Sequence, residues 1–155
     1  HSKFTQLQEE GRITKTYHAL VLGGPEEADG IIDAPIGRHP TDRKKMCVTQ
    51  RNAKDAVTHW EVVARYRGYT HIRCRLETGR THQIRVHMAH IGHPILGDTV
   101  YGHKKKELGQ ETQCLHAGQL CFLHPRDLHP VLVFAPLPDY FTQVLEKLER
   151  MQGNL

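Results

Sequence analysis

Alternating apolar and polar positions predict β-strands over much of the chain. Between residues 69 and 76 the apolar side chains take the even positions from 72 onward, and a histidine and two arginines take the odd positions. Residues 56–66 alternate in the same manner, and the short Arg67-Gly68 connection predicts that the two strands form a hairpin. Runs rich in β-branched, aromatic and other apolar residues predict further strands over residues 13–22, 115–123 and 131–135.

Apolar residues at helical spacing predict helices in the middle and at the end of the chain. Residues 81–91 carry an apolar stripe and are followed by Gly92, a residue at which helices commonly end. Residues 138–151 carry a second stripe, and residues 2–10 have the pattern of the end of a helix. The stripes consist of Ile84, Met88 and Ile91 in the first helix and Phe141, Val144 and Leu148 in the second.

Together these elements predict an α+β fold with a mixed, mainly antiparallel sheet and flanking helices. No repeat, low-complexity tract or long linker divides the 155 residues. A chain of this length is about the size of one domain. We therefore expect residues 1–155 to form one domain or one large piece of a domain.

The composition is that of a soluble globular protein, with 38% hydrophobic and 25% charged residues. No stretch approaches the roughly 18 apolar residues that a membrane span requires, so we expect no membrane partner. The four cysteines form no CxxC pair, which favours a reduced, cytoplasmic protein, and we expect a monomer. The sequence starts at His1 without a signal segment, and we expect that an upstream part has been removed.

Basic residues give the chain a formal net charge of +4 and gather in two runs. Arg43, Lys44 and Lys45 form the first run, and residues 103–106 form the second. Such clusters attract phosphate backbones. On charge alone, a solvated loop explains these runs equally well.

The segment from Thr78 to Gly102 has the highest density of candidate chemistry. A predicted strand enters a glycine turn and then a helix, and we expect the first turn of that helix to hold Arg80, His82, Gln83 and Arg85. Backbone N–H groups and cations at a helix start favour an anion. That anion could be a phosphate, a substrate carboxylate or a protein carboxylate, and a capped surface helix with exposed arginines is the alternative.

Four segments resemble the RluA-type family of RNA pseudouridine synthases, in the family's order. They read TGRTHQIRVHMAHIGHPILGDTVYG from Thr78 to Gly102, KTYHAL from Lys15, PIGRHPTDRKKM from Pro35, and Leu115-His116-Ala117. The resemblance implies the C-terminal part of a pseudouridine synthase catalytic domain. Such enzymes detach uracil from its ribose, rotate the base and reattach it through C5, without a cofactor. The implied partner is structured RNA, ribosomal RNA first of all.

The family's essential aspartate stands in an Arg-Leu-Asp motif that the sequence does not contain. Counting back from Tyr17 puts that motif upstream of His1. We therefore expect the 155-residue chain alone to be inactive. A non-catalytic RNA-binding module derived from the same fold is the alternative.

The resemblance also assigns roles to individual residues. Arg85 matches the arginine that pairs with the catalytic aspartate, and a nearby guanidinium keeps such a carboxylate ionised. Tyr17 matches the tyrosine that lies against the base and is a candidate for proton abstraction at C5, although it would also suit a strand core. Leu115 matches an apolar residue of the uracil pocket, or it is an ordinary core residue. The candidates for contact with RNA phosphates are Arg80, His82, Arg43, Lys44 and Lys45.

Two other features of the same segment favour structure over chemistry. Gly97-Asp98 and Tyr101-Gly102 are typical of turns, and we interpret them so. His87, His90 and His93 are three residues apart, but steps of three drift by about 60° around a helix. They therefore do not predict a closed ligand set, and we expect no metal site.

Overall fold

The computed structural model describes residues 13–105, 107–124 and 126–153, which form strands and helices in a regular order. In chain order the elements are β1 (Ile13–Leu22), β2 (Asp29–Asp33), β3 (Ile36–Arg38), β4 (Met46–Val48), β5 (Val57–Tyr66), β6 (Tyr69–Leu76), α1 (Gln83–His90), β7 (Leu115–Leu123), β8 (Pro130–Phe134) and α2 (Asp139–Gly153).

Six of these strands form one sheet in the order β2-β5-β6-β1-β7-β8. Every neighbouring pair in it is antiparallel. The strands β3 and β4 form a separate two-stranded hairpin. The α+β class and the mainly antiparallel sheet predicted from the sequence are confirmed.

The two faces of the sheet are covered by different helices. Ala19 and Ile72 are paired neighbours on one face, and this face packs in the core with Ile84 and Met88 of α1. On the opposite face, His71 contacts the ring of Phe141 from α2, with a centroid distance of 5.4 Å. Full burial of one apolar side chain contributes about 1.5–3 kcal/mol to stability, so the buried apolar stripes hold both helices against the sheet.

The strands with clear alternation or long apolar runs are confirmed at their predicted positions. β1, β6 and β7 have the predicted bounds, β5 begins one residue later than predicted, and β8 is displaced by one residue. The hairpin at Arg67-Gly68 is confirmed by the pairing of Tyr66 with Tyr69. β2, β3 and β4 were not predicted, because segments of three to five residues are too short to show a period.

The first predicted helix is shorter at its start than the sequence suggested. α1 begins at Gln83, and His82 before it has the left-handed backbone angles φ 57° and ψ 25°. Gly92 follows the helix at φ 88°, a conformation that favours glycine, as the stop signal predicted. The helix end predicted for residues 2–10 lies outside the described residues. No helix that the structure describes is long and apolar enough to span a membrane.

Candidate active site

Arg85 projects from α1 and forms a bidentate ion pair with Asp98. Its Nε donates to Oδ2 of Asp98 at 2.9 Å, and its Nη2 donates to Oδ1 at 3.1 Å. The arginine side chain is 11% exposed and the aspartate side chain is 0% exposed. A planar guanidinium matches a carboxylate in this geometry, and a lysine cannot reproduce it.

Asp98 is the centre of a turn as well as a partner for the arginine. Its Oδ1 accepts the backbone N–H groups of Val100 and Tyr101, each at 3.1 Å. Gly97 precedes it at φ 82°, and any Cβ there would clash with the carbonyl oxygen of Thr112. The turn interpretation is therefore confirmed. The ion pair is an addition to it, because sequence analysis assigned Arg85 a carboxylate from upstream.

The environment of Asp98 keeps its carboxylate ionised. Burial by itself raises the pKa of Asp98, but the hydrogen bonds from Arg85 and from the turn amides outweigh it and hold the pKa below its usual range. The pair is thus a fixed charge pair at neutral pH.

One side of the Arg85 guanidinium is not used by Asp98. Among the described residues, Nη1 of Arg85 has no hydrogen-bond partner. In that same part of the chain, no fully buried side-chain nitrogen or oxygen lacks a partner, so Nη1 reaches solvent. Arg85 therefore can bind a second acceptor, such as a carboxylate or a phosphate, while Asp98 holds its orientation.

Tyr101 connects this ion pair to two other segments. Its ring lies under the guanidinium of Arg85, with Cζ 5.0 Å from the ring centroid. Its hydroxyl oxygen accepts the backbone N–H of Met46 at 2.9 Å and lies 2.7 Å from Nδ1 of His82. Burial and then the positive charge of Arg85 lower the pKa of His82. A neutral His82 ring with an unprotonated Nδ1 can accept a hydrogen bond from the Tyr101 hydroxyl.

The helix start differs from the anion site that the sequence predicted. Arg80 lies before α1 rather than in its first turn, and its Nε donates to the carbonyl oxygen of Asp55 at 2.7 Å. The buried side chain of Gln83 accepts the N–H of Arg80 through Oε1 and donates through Nε2 to Thr58. Gln83 thus takes up one backbone N–H before the helix, and Arg85 in the first turn binds a protein carboxylate, one of the three kinds of anion that the sequence allowed.

The basic run lies in the loop between β3 and β4, next to the site. Arg43 and Lys44 are exposed and Lys45 is half-buried. The loop is braced by Asp42, whose carboxylate accepts the N–H of Lys44 and whose carbonyl accepts the N–H of Lys45. Met46 follows directly and bonds to Tyr101, so this loop and His82 contact the same tyrosine.

Tyr17 is half-buried on β1, on the sheet face that packs against α1. It is paired with Cys74 on β6 and with Ala117 on β7, and the register between β1 and β7 shifts at Tyr17. Such irregularities commonly redirect side chains beside functional sites. Burial raises the pKa of Tyr17, which keeps the phenol protonated at neutral pH. Tyr17 lines an open concavity of about 210 Å³ together with Lys15, Ala117, Gly118, Gln119, Leu120, Val133 and Ala135.

Leu115 lies two residues before Ala117 on β7 and is opposite Ala19 of β1. It is half-buried and packs against the main core, as Tyr17 does. The two residues therefore share one face of the sheet, but Leu115 is not among the residues that line the concavity at Tyr17. The structure brings the two residues to the same face of the sheet, with Leu115 outside the concavity that Tyr17 lines.

His87 of α1 is buried and bonds within the fold. Nδ1 of His87 lies 2.8 Å from the Thr58 hydroxyl and Nε2 lies 2.9 Å from the Ala34 carbonyl, so both ring nitrogens are used. Within the described residues, three side chains with possible metal-ligand atoms lie close together at the turn between β7 and β8. They are His124, Asp127 and His129.

Comparisons with known proteins agree with this fold. The family model described as RNA pseudouridylate synthase matches residues 1–90. The chain therefore belongs to the RNA pseudouridylate synthase family. Its curated bacterial relatives support the RluA type that the sequence motifs predicted.

The relatives extend the similarity over most of the chain. It is 49% identical over 138 residues to an uncharacterized RNA pseudouridine synthase, YlyB, of Bacillus subtilis, covering 89% of this chain and 45% of that protein. It is 44% identical over 153 residues to the ribosomal large subunit pseudouridine synthase D of Nitrosomonas europaea, covering 94% and 44%. The chain thus spans about half the length of these curated relatives.

Two solved structures show the same fold. Human RNA pseudouridylate synthase domain containing 4 superposes with a TM-score of 0.75 at 26% identity, covering 96% of this chain and 67% of that one. Human RNA pseudouridylate synthase domain containing 1 gives 0.70 at 28% identity, covering 93% and 69%.

Proposed function

We propose that this chain is the C-terminal part of the catalytic domain of an RNA pseudouridine synthase. The proposed substrate is a uridine in structured RNA, ribosomal RNA first of all, since several relatives are named as large subunit synthases. The observation that carries the proposal is Arg85: within a chain of this family, its guanidinium is fixed by Asp98 and still has Nη1 available.

Arg85 would orient the catalytic aspartate through its available nitrogen. The aspartate would come from an Arg-Leu-Asp segment upstream of residue 1, and Nη1 of Arg85 would hold it ionised beside the ribose. Asp98 occupies the other side of the guanidinium and limits its rotation. Two carboxylates sharing one arginine repel each other, which is tolerable because Asp98 also accepts two turn amides.

Tyr17 and Leu115 would contact the target base. The uridine leaves its stack at a cost of a few kcal/mol, about the usual cost of base flipping, and the aromatic face of Tyr17 offsets part of it. The N1–C1′ bond breaks, the C5–C1′ bond forms, C5 loses its proton and N1 gains one. Because its raised pKa keeps Tyr17 protonated, it can accept the C5 proton only if it first gives up its own, so the ring contact is the better supported role.

Phosphate contacts would come from the basic loop and from His82. Arg43, Lys44 and Lys45 supply charge without reading bases. Arg80 is a weaker candidate than the sequence suggested, since its Nε already binds the Asp55 carbonyl. We propose no cofactor and no metal, and we expect a cytoplasmic monomer.

The test compares two polypeptides on ribosomal RNA that carries tritium at C5 of uridine. The 155-residue chain should release no tritium, and the version extended upstream through an Arg-Leu-Asp segment should release it. Release by the short chain would overturn the placement of the catalytic aspartate. RNA binding by the extended version without any release would favour the non-catalytic RNA-binding module instead.

A further inference from the structure

The hydroxyl of Tyr101 joins two segments that are far apart in sequence. Met46 lies 55 residues before it and His82 lies 19 residues before it, and both bond to the same oxygen. The ring of Tyr101 also contacts Arg85, and it meets the His82 ring edge-on at a centroid distance of 5.5 Å. One side chain therefore touches the loop that carries the basic run, a phosphate candidate and the proposed catalytic arginine.

The hydrogen bonds of this oxygen are mutually consistent. A phenol can accept one bond and donate another. The Met46 N–H is a donor, so the oxygen accepts there, and the phenolic hydrogen is left for Nδ1 of a neutral His82. Burial raises the pKa of Tyr101, which keeps that hydrogen in place.

We propose that Tyr101 is a positioning residue for RNA binding. Its hydroxyl holds the start of β4, and with it residues 43–45, next to His82. Its ring keeps the loop and His82 at a constant distance from Arg85. RNA phosphates then contact the loop only when the target uridine is aligned with the arginine. The inference rests on the proposed function, since it assumes that the loop contacts RNA.

Simple packing is the competing explanation. The Tyr101 ring is also packed against a small apolar cluster of Ile36, Ala56 and Val86. Tyr101→Phe keeps this packing and the contact with Arg85 but removes both hydrogen bonds. Tyr66→Phe is the matched control, because Tyr66 is half-buried in the β5–β6 hairpin and lies outside the site.

The experiment uses the full-length protein that contains this chain and measures three properties of each variant. In Tyr101→Phe, hydrogen exchange of the Met46 amide should become about threefold to tenfold faster, the range expected for the loss of one hydrogen bond. The log–log salt slope of RNA binding should fall by roughly 0.7–0.9 for each phosphate that the variant no longer binds. KM for RNA should rise by a larger factor than kcat falls. Tyr66→Phe should match the wild type in all three.

Each failure has a distinct meaning. Wild-type Met46 exchange in Tyr101→Phe would overturn the positioning role, and so would an unchanged salt slope with faster exchange. If the wild-type protein itself neither bound RNA nor released tritium, the proposed function would fail first, and the inference that rests on it would fall with it.

Discussion

Arg85, in the first turn of α1, pairs with Asp98, and the guanidinium binds both carboxylate oxygens at 2.9 and 3.1 Å. The pair fixes the arginine from one side only. This one-sided geometry links the stability of the fold to the proposed chemistry, since the same side chain holds a buried charge and presents Nη1 to solvent.

Removing the arginine should destabilise the protein strongly. Arg85→Ala leaves the carboxylate of Asp98 buried without its countercharge, which costs about 3–5 kcal/mol where burial is substantial. Arg85→Lys keeps the charge but loses the bidentate geometry, so its destabilisation should be smaller. Urea unfolding measures both. Arg67→Ala, in the exposed turn between β5 and β6, is the control and should change stability by less than about 0.5 kcal/mol.

Stability should also fall as the pH is lowered below neutrality, because of His71. Burial, then the charges of His18 and Arg73, lower the pKa of His71 to about 4. In the unfolded chain His71 binds a proton below about pH 6.5, whereas in the folded protein it does so only below about pH 4. Between these pH values the free energy of unfolding should therefore fall by roughly 3 kcal/mol because of this group. Nε2 of His71 lies 2.9 Å from Nδ1 of His18, and the His71 ring also contacts Phe141.

The matched variants are His71→Gln and His90→Gln, with unfolding free energies compared between about pH 7 and about pH 4.5. His71→Gln should remove the part of the pH dependence that His71 contributes and leave the part from His18 and His87, whose pKa values burial also lowers. His90 is exposed on α1, and its variant should keep the wild-type slope. A wild-type profile that is flat between these pH values would show that His71 is protonated in the folded protein.

Neutralising the loop should reduce the electrostatic part of RNA binding. Replacing Arg43, Lys44 and Lys45 by glutamine should lower the salt slope by roughly 0.7–0.9 for each phosphate that is released from the loop. The control replaces Arg67, Lys147 and Arg150, three exposed cations away from the site. Equal slopes for the two triple variants would mean that residues 43–45 form an ordinary solvated loop.

Much of the fold could be predicted because it depends on local patterns. β6 alternates from His71 onward, and its bounds follow from that pattern together with the Arg67-Gly68 connection before it. α1 begins two residues later than predicted because His82 has left-handed backbone angles, which the spacing of apolar residues does not reveal. Two acidic residues in the five-residue β2 hid its strand character.

The site was less predictable because its contacts are not local. Asp98 was recognised as a turn residue, but its pairing with Arg85 depends on how the chain returns after Gly92. The bond from Met46 to Tyr101 crosses 55 positions and leaves no periodic signal.

Variants of Arg85 and Arg80 should distinguish an effect on the chemical step from an effect on binding. Their comparison is the most direct test of the claim that Arg85 orients the catalytic carboxylate. The assay is single-turnover tritium release by the extended enzyme at saturating enzyme concentration, with RNA affinity measured in parallel. Arg85→Ala should lose most of the saturating rate. Arg80→Ala removes a side chain that binds the Asp55 carbonyl and stands outside the Arg85–Asp98 pair, so it should keep most of that rate whatever its effect on RNA affinity. A contact made equally in ground and transition states does not change the chemical step. If folded Arg85→Ala kept the wild-type saturating rate and only bound RNA less tightly, Arg85 would not orient the catalytic carboxylate, and the active-site role of α1 would be contradicted.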